Sequence, residues 1–182
     1  MYIKIGLSGL PGVGKTTTLK KTIEILEEEG FKVGGMLTEE VRENGKRVGF
    51  YVLNWMTKEK KIFAHKDFES RIKVGKYGVD IGVLEEIGIK ALEEAMEKAD
   101  VIVIDEIGKM EVGSKKFVKI VREILDLDKH LIMTLHKKSR TPLLQEIRRR
   151  DDIRILEVTP VNRNLLPYKI EKIMKDQLPS LF

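Results

Sequence analysis

Residues 9–16 read GLPGVGKT and match the pattern G-x-x-x-x-G-K-[ST]. Glycines allow a backbone to turn so that several of its N–H groups point inward at one anion. A helix that begins near Lys15 adds free N–H groups and the positive end of its dipole. The segment predicts a loop that binds nucleotide phosphates, and the alternative is an ordinary glycine-rich turn between strand and helix. The residues predicted to bind are Gly9, Leu10, Pro11, Gly12, Val13, Gly14, Lys15 and Thr16.

Two side chains of this loop have predicted roles of their own. Lys15 is expected to reach the β- and γ-phosphates, which makes it a candidate catalytic residue. Thr16 is expected to place its hydroxyl on Mg²⁺. The loop therefore predicts Mg²⁺ as the cofactor and a nucleoside triphosphate as the ligand.

A second candidate site follows the apolar run VIVI at 101–104, which predicts a buried strand. Asp105 and Glu106 come next, and buried carboxylates are unfavourable unless they are paired or bound to a cation. In phosphate-loop enzymes an Asp at this place holds Mg²⁺, usually through water, so Asp105 is the predicted metal residue. Glu106 is the predicted general base for an attacking water, and the alternative is an exposed residue at the start of a loop.

The segment HLIMTL at 130–135 is expected to form a strand between the two candidate sites. Thr134, near its end, is a candidate sensor of the γ-phosphate, and the alternative is a packed β-branched residue. His136 follows, but the three histidines of the chain show no metal-ligand spacing, so it is expected to be structural or on the surface.

Charge stabilisation during phosphate chemistry needs a cation in addition to Lys15. Lys109 is one candidate, because it lies three residues after Glu106, and a surface position is the alternative. Arg148 and Arg149 are further candidates, on a helix after the 130–135 strand. For these two arginines a surface position is the favoured interpretation.

The order of elements predicts an α/β fold. Glycine and proline positions, capping residues and apolar spacing predict helices between strands, and such alternation gives right-handed βαβ units. The expected class is a P-loop NTPase three-layer sandwich, a mostly parallel sheet with helices on both faces. The strands are predicted at 2–8, 32–37, 101–104, 130–135 and 153–158. The helices are predicted at 15–29, at 83–98, after Ser114, after Thr141-Pro142, and at the end, with Pro167 in the first turn.

A small antiparallel insert is predicted at about 39–66. Asn44-Gly45 is a strong signal for a hairpin turn, and the segment KKIFAH is expected to add a third strand. The whole chain is expected to form one domain, with the insert as part of it.

Composition excludes several classes of protein. The chain has 182 residues, 42% of them hydrophobic and 35% charged, and no cysteine, which excludes disulfides and a thiol nucleophile. No apolar run approaches the ~20 residues of a membrane span, and the N-terminus does not resemble a signal peptide, so a cytoplasmic protein is expected. The net charge of +5 suits nucleic acid or a phosphorylated small ligand. Scattered basic residues without interleaved aromatics make nucleic acid the weaker choice, and the oligomeric state stays open.

Further motifs accompany the phosphate loop over nearly the whole chain. They are TEEVR at 38–42, VGKYGVD at 74–80, IDEIGKME at 104–111, EIRR at 146–149 and TPVNR at 159–163. Together with GLPGVGKTT at 9–17, this set resembles the THEP-type P-loop nucleoside-triphosphatases. The loop alone is generic, but IDEIGKME with TEEVR and VGKYGVD is specific.

The resemblance implies Mg²⁺-dependent hydrolysis of nucleoside triphosphates to diphosphates and phosphate, with ATP, GTP, CTP and UTP all used. It also implies a second nucleotide-binding segment of Val101, Ile102, Val103, Ile104, Asp105, Glu106, Ile107 and Gly108. Asn162 and Arg163 follow the last strand and are candidates for base contact, with a helix cap and a surface arginine as the alternative. The family pattern continues with Asp where this chain has Asn164. Tyr77 is expected either to stack on a base or to pack beneath the nucleotide.

Two other functions stay open from the sequence. A nucleoside or nucleotide kinase would use the same loop, although a water-activating Glu beside the metal Asp does not suit one. A partner-activated NTP-binding switch would use the insert and the basic charge as a partner surface.

Overall fold

The computed structural model describes residues 2–176 of the chain, and within them nine strands form one sheet. The strands are β1 (Lys4–Gly9), β2 (Val33–Glu43), β3 (Lys46–Asn54), β4 (Lys60–His65), β5 (Lys73–Val74), β6 (Tyr77–Val79), β7 (Val101–Ile107), β8 (His130–His136) and β9 (Arg154–Glu157). The α-helices are α1 (Lys15–Glu28), α2 (Ile81–Val83), α3 (Lys90–Lys98), α4 (Lys115–Leu125), α5 (Pro142–Arg149) and α6 (Leu166–Asp176). A π-helical segment, Leu84–Ile89, joins α2 to α3, and a 3-10 turn, Glu111–Gly113, precedes α4.

One half of the sheet is parallel and carries helices on both faces. Its strand order is β2-β7-β8-β1-β9, and all four pairings are parallel. Along β7, Val101 and Val103 pack with α1 and α6, whereas Ile102 and Ile104 pack with the helices of the opposite face. A strand covered on both faces needs apolar residues at every position, which explains the VIVI run. The predicted α/β class is confirmed.

The other half of the sheet is antiparallel and differs from the prediction. Strand β2 is longer than expected: it pairs with β7 over Val33–Met36 and then continues as the partner of β3 to Glu43. The hairpin turn lies at Asn44 and Gly45, as predicted, with positive φ angles of 52° and 76°. The predicted insert at 39–66 is therefore an extension of the main sheet, and β5 and β6 carry it on to residue 79.

Helix ends follow the chemistry of the sequence. The side chain of Ser114 accepts a hydrogen bond from the N–H of Phe117, and that of Thr141 accepts one from Leu144, as N-caps do. The helix predicted from residue 83 begins earlier, at Ile81, because Asp80 caps it by accepting from Val83 N. Pro167 lies in the first turn of α6, as predicted.

A membrane-spanning helix is not found among residues 2–176: none of their helices combines the required length with enough apolar character.

Candidate active site

The predicted phosphate loop connects β1 to α1 at the carboxyl edge of the parallel strands. Gly12 and Gly14 have φ angles of 79° and 102°, which residues with a side chain rarely adopt. Gly14 occupies the N-cap of α1 without a side-chain cap, so the first N–H groups of the helix remain available to an anion. The local conformation is therefore the one that the glycine spacing predicted.

Lys15 connects this loop to the acidic pair. Its side chain is only 6% exposed, and its Nζ donates a hydrogen bond of 2.7 Å to the carbonyl of Gly9. The same Nζ lies 3.4 Å from Oε2 of Glu106. The two predicted catalytic side chains thus form an ion pair at the loop.

Asp105 is the most deeply buried carboxylate of the site, with no exposed surface. The hydroxyl of Thr16 donates to its two oxygens at 3.0 and 3.2 Å, and the Thr134 hydroxyl donates to Oδ1. The N–H and hydroxyl of Thr38 lie 3.4 Å from Oδ2. Burial raises the pKa of Asp105 to about 6, although the hydrogen bonds from Thr134 and Thr16 oppose the rise. The site therefore holds a negative charge that protein groups stabilise only in part.

A register irregularity in β7 lets neighbouring residues serve the same site. The pairing with β8 shifts between Ile104 and Ile107, around Asp105 and Glu106. Consecutive residues of a regular strand point to opposite faces, and a bulge redirects a side chain. Here Asp105 contacts Thr16, and Glu106 approaches Lys15, so both carboxylates face the phosphate loop.

A third carboxyl group, that of Glu111, lies beside Glu106. A Cβ built on Gly108 would be 3.0 Å from Oε1 of Glu106 and 3.2 Å from Oε1 of Glu111, so both groups converge on this glycine. Burial raises the pKa of Glu106, and Lys15 opposes that rise. Burial and then the charge of Glu106 hold the pKa of Glu111 well above its usual value. The site thus contains a mostly buried acidic cluster next to one lysine.

These groups open into a cavity of about 730 Å³. One end is formed by the phosphate loop and the start of α1, and the other by the antiparallel half of the sheet. The lining residues on the loop side and in the middle are Pro11, Gly12, Gly14, Lys15, Thr16, Thr17, Lys20, Thr38, Glu106, Lys109, Met110, Glu111 and His136. Those on the antiparallel side are Glu39, Glu40, Arg42, Arg47, Phe50, Phe63, Val74, Gly75 and Tyr77.

The candidate cations have different positions. Lys109 is exposed, lines the cavity and has no ion-pair partner among residues 2–176, so it is available to a ligand. Arg148 instead donates to the carbonyls of His136, Lys137 and Ser139, at 2.6, 3.1 and 2.7 Å. It fixes the loop between β8 and α5 and does not line the cavity. Arg149 is exposed and also lies outside the cavity lining.

Thr134 does not lie where a sensor of the γ-phosphate would. It is fully buried, outside the cavity lining, and its hydroxyl donates to Asp105. Any effect of this residue on a bound phosphate must pass through Asp105.

The residues after β9 lie on the outer side of the phosphate loop. Asn162 accepts from Thr159 N at 2.8 Å and donates to the carbonyl of Glu157 at 2.7 Å, so its side chain bonds to residues that precede it in the turn before α6 and not to the N–H groups of a following helix. The guanidinium of Arg163 is 3.3 Å from the carbonyl of Val13. Arg163 thus packs on the loop and remains exposed.

Thr38 and Glu111 have no predicted role in the sequence, and His136, which was expected to be structural or on the surface, lines the cavity. Thr38 follows the apolar strand segment at 32–37, and the carboxyl ends of parallel strands meet at one edge, so its position could have been found. The burial of Glu111 depends on how the turn after β7 folds back, which no spacing rule indicates. Tyr77 is buried, and its hydroxyl accepts a hydrogen bond from Nε of Arg47 at 3.0 Å.

A parallel α/β sheet with a phosphate loop after its β1 strand, and an acidic pair on a neighbouring strand, defines a P-loop NTPase-like protein. A family model described as NTPase matches residues 4–171, and the chain belongs to this family.

Known proteins of similar sequence and structure share one description. The nucleoside-triphosphatase THEP1 of Picrophilus torridus is 42% identical over 98% of this chain and 99% of its own. That of Thermoplasma volcanium is 44% identical over 97% and 99%. The crystal structure of THEP1 from Aquifex aeolicus superposes with a TM-score of 0.85, at 40% identity over 95% of this chain and 99% of its own. The solution structure of a human cancer-related nucleoside triphosphatase gives a TM-score of 0.81, at 34% identity over 96% and 98%.

Proposed function

We propose that this protein is a Mg²⁺-dependent nucleoside-triphosphatase that hydrolyses nucleoside triphosphates to diphosphates and phosphate. Membership of the NTPase family supports the reaction class. The observation that carries the proposal is the pairing of Lys15 with Glu106 beside the buried Asp105–Thr16 contact. One lysine, one metal-type carboxylate and a second carboxylate paired with that lysine meet at the phosphate loop, and such a set suits γ-phosphate hydrolysis.

Thr16 and Asp105 fit Mg²⁺ and would hold it. Their oxygens are hard donors in mutual contact, and the buried charge of Asp105 lacks a cationic partner among residues 2–176. No group of three or more His, Cys, Asp or Glu side chains forms a metal cluster in that part of the chain. This suits Mg²⁺, which keeps several waters and binds few carboxylates. When bound, the ion would neutralise charge on the β- and γ-phosphate oxygens.

Glu106 acts as the general base. In the absence of nucleotide it pairs with Lys15, and a bound triphosphate would draw the ammonium group to its own oxygens. The carboxylate then loses its cationic partner and can accept a hydrogen bond from water in the cavity. Burial already raises the pKa of Glu106, and loss of the lysine would favour proton uptake further.

Water is the nucleophile of the proposed reaction and attacks the γ-phosphorus in line. The oxygen of the water forms a bond to the γ-phosphorus while its proton moves to the Glu106 carboxylate. The bond from the γ-phosphorus to the bridging oxygen breaks, and its electron pair stays on the diphosphate. Lys15 offsets the charge on the phosphates, and Lys109, at the cavity surface, can approach the same charge.

Broad use of bases follows from the outer side of the loop. The amide oxygen and nitrogen of Asn162 are both hydrogen-bonded to the backbone, at Thr159 and Glu157, so they are not available to discriminate between bases. Arg163 presents a planar face that suits any base. ATP, GTP, CTP and UTP should therefore all be substrates.

Phosphate release from each of the four triphosphates, with Mg²⁺ and with a chelator, tests the proposal. We expect phosphate release from all four triphosphates, and we expect this release to need Mg²⁺. Release that continues in the chelator would contradict the metal assignment. Negligible release despite tight nucleotide binding would favour a kinase or a partner-activated switch.

A nucleoside or nucleotide kinase is the second candidate, because the cavity continues beyond Glu106 to Arg47, Phe50 and Tyr77. A water nucleophile does not need that room. Adding nucleosides or nucleoside monophosphates and comparing diphosphate formed with phosphate released separates the two functions. A ratio of one means hydrolysis, and an excess of diphosphate means transfer to the acceptor.

A further inference from the structure

His136 ends β8 at the centre of the site. Strand β8 lies between β1 and β7, and in the parallel register Gly9 is the partner of His136 while Ile107 is the partner of Leu135. His136 is therefore adjacent both to the first glycine of the phosphate loop and to the end of the acidic strand.

The side chain of His136 lies on the functional face of its strand. Side chains two residues apart on a strand share a face, and Thr134 uses that face to contact Asp105. His136 accordingly lines the cavity, together with Lys15, Lys109 and Glu106. A Cβ built on Gly108 would be 3.7 Å from Cβ of His136 and 3.0 Å from Oε1 of Glu106, so both side chains border this glycine.

Of the two ring nitrogens, Nδ1 is hydrogen-bonded, and Nε2 has no hydrogen-bond partner among residues 2–176. The N–H of Ser139 donates to Nδ1 of His136 at 3.2 Å, so Nδ1 is the acceptor and a neutral ring carries its proton on Nε2. Arg148 holds the backbone carbonyl of the same residue at 2.6 Å. Ser139, in the loop that follows β8, thus holds the ring itself, and Arg148, on α5, holds the backbone of the same residue.

The surroundings favour the neutral form of the ring. Burial lowers the pKa of His136, and the charges of Lys15, Lys109 and Arg148 lower it further. A neutral imidazole whose Nδ1 accepts a hydrogen bond has one N–H, at Nε2. This donor carries no charge, so its burial does not require an ion to lose its hydration.

We propose that His136 is a catalytic residue that donates a hydrogen bond from Nε2 to an oxygen of the γ-phosphate. This inference rests on the proposed hydrolysis. As the bond to the bridging oxygen breaks, preorganised donors must hold the γ-phosphoryl oxygens. The Nε2–H of His136 is such a donor, because Ser139 holds the ring through Nδ1. The competing explanation is that His136 only anchors the loop through Nδ1.

Two isosteric variants separate these explanations. Asn places its amide oxygen close to the position of Nδ1, so His136→Asn keeps the acceptor for Ser139 and loses the donor. Gln reaches as far as Nε2, so His136→Gln keeps an N–H toward the cavity and loses the acceptor. Turnover, affinity for a non-hydrolysed triphosphate analogue and thermal midpoint are measured for both, with Lys138→Gln as an exposed control.

The proposal predicts that His136→Asn lowers kcat by about 100-fold with little change in nucleotide affinity, and that His136→Gln retains most of the wild-type turnover. The opposite order, with Asn active and Gln impaired, would assign His136 to the loop and overturn the proposal. Equal turnover in all three proteins, or an equal loss in both variants, would overturn it as well. A wild-type protein that binds triphosphates but releases no phosphate would instead overturn the proposed hydrolysis itself.

Discussion

At the residue scale, Asp105 shows how function opposes stability at this site. Its carboxylate is fully buried and receives hydrogen bonds from the hydroxyls of Thr16 and Thr134, yet its pKa is raised to about 6. A raised carboxyl pKa means that folding disfavours the charged form. The unfolded chain loses the proton near the usual value of 3.8, and the folded chain only near 6. The free energy of unfolding of the metal-free protein should therefore fall as pH rises through this window.

Replacing Asp105 with Asn is expected to stabilise the metal-free protein. The amide retains the size of the side chain and removes the buried charge, so the free energy of unfolding at pH 8 should rise by on the order of 1–3 kcal/mol. The gain should disappear near pH 4, where the wild-type carboxyl is itself mostly protonated. Thermal or denaturant unfolding in a chelator measures the effect.

Asp128→Asn, at an exposed position, is the matched control and should change stability little at either pH. An Asp105→Asn protein that is less stable than wild type at pH 8 would mean that the carboxylate is well stabilised without metal.

At the element scale, the loop between β8 and α5 depends on Arg148. Its guanidinium donates to three backbone carbonyls, at His136, Lys137 and Ser139. The sequence made Arg148 a candidate cation for the phosphates, with a surface position favoured, and the structure shows its side chain turned back on the preceding loop. The residue acts on the site through the position of the loop that follows His136.

Arg148→Ala is expected to lower the free energy of unfolding by about 1–3 kcal/mol, because partly buried carbonyls lose their donors. Arg149→Ala, one position further along the helix and exposed, should leave stability nearly unchanged. Denaturant unfolding of the two variants compares them directly. Equal stability of both variants would show that the three hydrogen bonds contribute nothing.

Sequence patterns predicted most elements of the parallel half, since each depends on local information. The VIVI run, the glycine loop and the caps at Ser114 and Thr141 are set by neighbours in the chain. Strands β5 and β6 were not predicted, because two and three residues are too few for a periodic pattern.

In the site, the phosphate loop and the acidic pair could be predicted because each lies within one short segment. Contacts between segments that are far apart in the chain could not be predicted. Thr38 meets Asp105 across 67 positions of the chain, and His136 meets Gly9 only through the register of two strands. A sequence read alone gives neither the register nor the bulge in β7.

At the scale of the whole molecule, the two halves of the sheet contribute different parts of the cavity. The parallel half carries the phosphate loop, Asp105 and the proposed base Glu106, and the antiparallel half forms the far wall of the cavity. Because β2 belongs to both halves, a ligand in the cavity contacts one continuous sheet. Ligand binding should then stabilise the fold as a unit.

A non-hydrolysed triphosphate analogue with Mg²⁺ is expected to raise the free energy of unfolding by about 2.7 kcal/mol at 100 times its dissociation constant. Analogues of ATP, GTP, CTP and UTP should give similar shifts of the thermal midpoint, since at the proposed base site the Asn162 amide oxygen already accepts from Thr159 and Arg163 contacts the Val13 carbonyl. The same samples in a chelator are the control. A shift with one base only would contradict broad base use.

The most direct test of the account is the turnover of Glu106→Gln at saturating Mg²⁺ and triphosphate, with Glu97→Gln as an exposed control. We expect phosphate release to fall about 100-fold or more in Glu106→Gln, with unchanged affinity for the analogue, and to stay at the wild-type rate in Glu97→Gln. Wild-type phosphate release by Glu106→Gln would contradict the assignment of Glu106 as the general base.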